Sequence, residues 1–246
     1  MAWRNTIVSP NTVWDAPVYA RFFREVRRIN QTRPDGGRYR VLLADSPVEW
    51  SVVDSVAQLR PFFDRAEAMA GTIRRESLGR GRRALFLAGG LHVSKVPRLR
   101  TSRSGVPARE VTPVALLALH HPGAVHVIQS MGRAEELGLP ALVGSGEPVL
   151  LPATAPRFDE VTANRTTTLR DRDGSALDVY GPLMLSDVVD AVLLWDPEDV
   201  TLQAPDSAVF RIEWYWDELN RRSRLLSGRG MDPALRQEAI RGLFPG

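Results

Sequence analysis

The sequence predicts an α/β fold: an open, mostly parallel sheet with helices on both faces. Short apolar runs at residues 39–44, 84–88, 124–128 and 191–195 show no polar alternation, and stretches with helical periodicity lie between the early ones. A strand covered on both faces needs a continuous apolar run, and parallel strands need a crossover helix, so these two features belong together. A length of 246 residues, 43% of them hydrophobic and 25% charged, fits one large domain spanning 1–246.

In chain order, Asp15 stands where it can cap a helix whose apolar residues Val18, Phe22, Val26 and Ile29 recur at helical spacing. Pro34-Asp35-Gly36-Gly37 is turn chemistry and opens into the first apolar run. Leu59, Phe62, Phe63, Ala66, Met69 and Ile73 mark a second helix, closed by Gly79-Arg80-Gly81 before the run at 84–88. Thr112-Pro113 reads as N-cap and first helical residue of a third helix, which stops near His121-Pro122-Gly123. The stretch 131–185 is rich in Gly, Pro and Thr and too long for a simple connection, so a hairpin or a lid is expected there. Residues 205–246 hold two helices, the second opening at Asp232-Pro233 with Leu235, Ile240 and Leu243 inward. The first clear element is a helix, whereas folds of this kind start with a strand, so the opening strand or strands are expected to be missing and one sheet edge uncovered.

Composition excludes several classes of function. With no cysteine there is no disulfide, thiolate metal site or cysteine nucleophile. No apolar run is long enough to span a membrane, and the first nine residues carry no targeting segment, so no membrane partner and a cytoplasmic location by default are the expectations. Arginines cluster at Arg80, Arg82 and Arg83 and at Arg98, Arg100 and Arg103, but no aromatic is interleaved and the net charge is only +3. A solvated surface explains them better than a nucleic-acid groove.

Two residues stand where chemistry is expected. Ligands of open α/β sheets bind beyond the carboxyl ends of the strands. Asp45 ends the first apolar run, and His92 follows the second after Gly89 and Gly90, which permit a tight turn. If the two strands are adjacent, imidazole and carboxylate face one crevice within roughly 10 Å, as a proton shuttle and its electrostatic partner. The plainer readings are that Asp45 caps the following turn and that His92 is a partly exposed loop histidine. His120 and His121 sit at a helix C-terminus, where the dipole favours a cation. His126 reads as a satisfied core histidine inside a strand. Paired histidines at ligand spacing and HExxH are both absent, so no structural metal is expected. Serine-hydrolase, dinucleotide and P-loop signatures are also lacking.

The string Arg65-Ala66-Glu67-Ala68-Met69-Ala70, the following strand and Gly89-Gly90-Leu91-His92 resemble the erythromycin-esterase-like superfamily, which includes the ChaN-type haem-uptake proteins and the more distant Tiki and TraB proteins. Residues 39–45 are similar to the family strand that ends in an acidic residue at the pocket, and Asp190-Ala191-Val192 to its late strand. The resemblance spans about residues 3–195. It implies a hydrolase of ester type and unassigned substrate, with His92 as general base, Asp45 as its electrostatic partner, and Arg65 and Glu49 as polar groups that bind substrate. Two departures stand out. Ala66 occupies a position where family enzymes carry Asp or Glu, and the family's front strand with its Glu and His has no counterpart here. The resemblance therefore also implies reduced or no activity, or a non-catalytic module binding haem or another flat apolar ligand. A truncated product without activity is the plainest alternative. The expected partners are a small molecule and a second copy along an uncovered sheet edge.

Overall fold

The computed structural model describes residues 17–101, 107–131, 148–166, 177–195 and 207–241. It holds helices and small sheets with both parallel and antiparallel pairing, an α/β protein. The chain divides into two compact units, one drawn from 1–65 and 201–246 and the other from 66–200.

In the first unit, α1 (Pro17–Gln31) matches the expected periodicity; its proposed cap, Asp15, lies outside the described residues. The Pro34 turn closes as read, with Gly37 N–H donating to Pro34 O at 2.9 Å. Residues 39–44 form no ladder, and Tyr39, Val41 and Leu43 remain exposed. An apolar run becomes a strand only where a neighbour takes up its backbone groups, and sequence cannot supply that neighbour. The second expected helix is broken into α2 (Val56–Leu59), a 3-10 turn at Arg60–Phe62, and α3 (Arg65–Glu76), which from Ala66 on belongs to the second unit. Pro61 accounts for the break, because its ring cannot donate and would clash inside a continuous helix. At the far end come α6 (Ser207–Phe210), α7 (Glu213–Ser227) and α8 (Pro233–Arg241). Leu235 is 44% exposed rather than inward; Phe210, Trp216, Leu219 and Ala239 form that core instead. Leu243 lies outside the described residues. A second core joins Val48, Trp50, Val53 and Leu59 to Leu225 and Leu226.

In the second unit, β1 (Arg98–Thr101) pairs antiparallel with β2 (Pro107–Glu110). The helix α4 (Pro113–His120) starts as expected: Thr112 Oγ1 accepts from Ala115 N–H at 2.9 Å and donates to Ser94 O. The main sheet has the order β3 (Ile128–Met131), β5 (Ala191–Leu194), β4 (Val149–Pro152), parallel on the β3 side and antiparallel on the other. The strand β4 lies in the stretch where a hairpin or lid was expected. α5 (Leu185–Val188) leads into β5, and Phe158, Leu185, Val188, Val192 and Leu194 are almost fully buried around the sheet.

Two expectations fail here. Residues 84–88 form no strand; Phe86 packs inward while Leu85 and Leu87 are 85% and 67% exposed. The run at 124–128 becomes a strand only from Ile128. The Asp190 carboxylate takes the Val127 N–H at 2.7 Å, and Val127 O accepts from Asp190 and Ala191, so a side-chain clamp precedes the ladder.

Candidate functional site

The residues singled out by sequence fall into two sets. In the first unit, the guanidinium of Arg65 grips Asp45 with both arms, Nε to Oδ1 at 2.8 Å and Nη2 to Oδ2 at 2.7 Å. Ser46 N–H adds a third bond to Asp45 Oδ1 at 2.8 Å. Asp45 thus performs the turn-capping role and also anchors a residue twenty positions away. A bidentate fork of this kind fixes both planes and is stronger than a single-contact pair. Asp45 already accepts at both oxygens, which suits it to positioning more than to proton transfer. Glu49 lies exposed nearby in sequence, accepting from Ser51 Oγ at 3.4 Å, and is not drawn into the fork.

In the second unit, His92 closes a 3-10 turn at Gly90–His92, its N–H donating to Gly89 O at 2.8 Å, and its side chain is half-buried. A Cβ added at Gly90 would sit 3.0 Å from Gln129 Nε2 on β3, so that side chain would have to give by a few tenths of an ångström. The turn thus lies beside the β3 side of the main sheet. Of the other histidines, His120 and His121 stand at a helix C-terminus as expected, and His126 departs from its reading. His126 is exposed and precedes β3, so it is not a core histidine. His120 is exposed at the α4 C-terminus, and His121 is half-buried with Nε2 unbonded among the described residues.

Sequence reasoning missed two polar clusters. On α7, Glu218 Oε1 and Oε2 accept from Arg221 and Oε1 also from Arg222, all at 2.7–2.8 Å. Arg221 donates onward to the carbonyls of Val53 and Trp50, and Arg222 lies 4.5 Å over the Trp50 ring. Burial pushes the Glu218 carboxyl up, but the hydrogen bonds and charges of the two arginines outweigh it and hold it below the usual range. Spacing at i, i+3 and i+4 was the available signal. In the second unit Lys95, the sole lysine, bonds Asp190 at 2.8 Å. Burial again pushes upward, and the Lys95 and Val127 hydrogen bonds again win, so Asp190 is lowered.

Among the described residues no three His, Asp or Glu side chains are gathered to hold a metal ion. A shallow groove of about 530 Å³ lies between α1 and Tyr39 and Val41; neither Asp45 nor His92 lines it. Comparison of the chain with protein-family models, curated proteins and solved structures gave no match.

Proposed function

We propose that the chain is an erythromycin-esterase-like domain that binds a small molecule, with His92 as its proton-transfer group; within the first unit the Asp45–Arg65 pair is a fixed polar frame. The observation that carries this is the fork itself. The acid and the arginine that the resemblance names, twenty residues apart, meet in bidentate contact. The open, mostly parallel sheet with helices on both faces belongs to the same proposal and draws support from the parallel β3–β5 pair. His92, held by a glycine turn, would take a proton from water attacking an ester carbonyl and return it to the leaving alcohol.

A second reading has its own support. Leu85 and Leu87 are largely exposed just ahead of His92, an arrangement suited to a flat apolar ligand with the imidazole as its polar contact. The two readings separate in one experiment. Purified wild-type chain is offered nitrophenyl esters of increasing acyl length and, separately, hemin followed by absorbance. Ester turnover above the buffer rate supports the hydrolase. A saturable Soret shift at one equivalent, without turnover, transfers the proposal to binding. Neither response at any concentration reached would reject both.

A further inference from the structure

The helix α1 has a sharply divided surface. At about 100° per residue, Val18, Tyr19, Phe22, Phe23, Val26 and Ile29 fall within an arc of roughly 140°. Arg21, Arg24, Arg27 and Arg28 occupy the opposite side together with one acid, Glu25, which is bound to Arg28. Glu25, bound to Arg28, and then Arg21 border the arc beside Val18, while Arg27 lies beyond Phe23 on the other side, where it lines the groove with Tyr39 and Val41. None of the helix is buried, and Val18 and Phe22 are 50% and 41% exposed. The other flank is occupied. Asn30 exchanges two hydrogen bonds with the Tyr39 backbone at 2.8 and 2.9 Å, and Phe23 and Val26 line the groove shared with Tyr39 and Val41.

We propose that α1 docks on an anionic membrane surface, Val18 and Phe22 entering the headgroup boundary while Arg21 and Arg28, on the Val18 border, reach the phosphates. A cationic helix with a strong apolar side and low mean hydropathy lies in the interface plane rather than across the bilayer. Among the described residues no helix is long and apolar enough to cross one. Sequence reading excluded a membrane partner only because no spanning run exists, and an interfacial helix needs none. The charge pattern selects the occupant. A second copy laid helix to helix would bring like charges together, whereas acidic lipid complements them. An acidic protein groove that wraps a helix is disfavoured because Asn30, Phe23 and Val26 already face the chain's own Tyr39–Val41 segment.

The test is sedimentation of the full chain with vesicles of phosphatidylcholine alone and of phosphatidylcholine containing one third phosphatidylglycerol. Binding is expected to the anionic vesicles only, and to collapse as salt is raised. The paired variant Arg21→Gln, Arg28→Gln should lower partitioning roughly fivefold for each arginine. Val18→Gln with Phe22→Gln should lower it by about tenfold or more with unchanged far-ultraviolet circular dichroism. The wild-type salt series decides the matter even if a variant misfolds. Equal binding to neutral vesicles, or none to anionic ones, overturns the proposal. So does a dimer that the Val18/Phe22 variant dissolves, or capture by calcium-loaded calmodulin, in the absence of vesicle binding.

Discussion

Arg65, Arg221 and Arg222 are each held by a carboxylate. Arg222 is 6% exposed, stacked on Trp50 and bonded to Glu218. Arg222→Ala removes the stacking and one of the arginines that hold Glu218, and should cost about 2–3 kcal/mol by urea unfolding. Glu218→Gln should cost less, about 1 kcal/mol, because the carboxylate remains partly open to water. Its pH dependence has a definite sign. A carboxyl lowered by folding contributes stability that is present above its unfolded pKa and lost as pH falls through the folded value. Glu218 and Asp190 are both lowered, so wild-type stability should fall on acidification from about pH 4 downward. Acid titrations of Glu218→Gln should show a shallower fall, and a slope equal to that of wild type would remove Glu218 from the explanation. At this scale the Asp45–Arg65 fork was legible as two separate candidates, but not as a pair, since only folding brings positions twenty apart together.

Among elements, those with local signals were legible and those needing a distant partner were not. Thr112-Pro113 announced α4 because an N-cap acts within three residues, and Thr112 Oγ1 does bond Ala115. Thr112→Ala should cost about 1–2 kcal/mol and Thr112→Ser much less, measured as thermal midpoints. Equal losses would mean that packing rather than capping matters there. Residues 39–44 and 84–88 carry strand-like composition without a ladder, and the strand β4 lies in an irregular stretch where a hairpin or lid was expected but no strand could be placed. Within that same stretch Asn164 accepts from Val179 and Tyr180 N–H, both at 2.9 Å, and donates to Asp178 and Gly181. Such a clip between loops leaves no periodicity to read. Asn164→Ala should lower stability by about 2 kcal/mol, whereas a change below a few tenths would show that water replaces the clip.

For the molecule as a whole, the pattern of apolar runs and helical stretches indicated an α/β chain and the structure is one, yet the sequence carried no sign of two compact units. One of them draws on both ends of the chain, 1–65 and 201–246, so no shift in composition marks its limits. The proposed function rests on His92, the one residue to which it gives proton transfer, and that role is open to direct measurement. The initial rate of ester hydrolysis is compared between wild type and His92→Asn, with matched circular dichroism and with Glu238→Gln as an exposed reference. Loss of about a hundredfold or more in His92→Asn, with Glu238→Gln near wild type, is the expected result for a general base. Equal rates in all three proteins would contradict it.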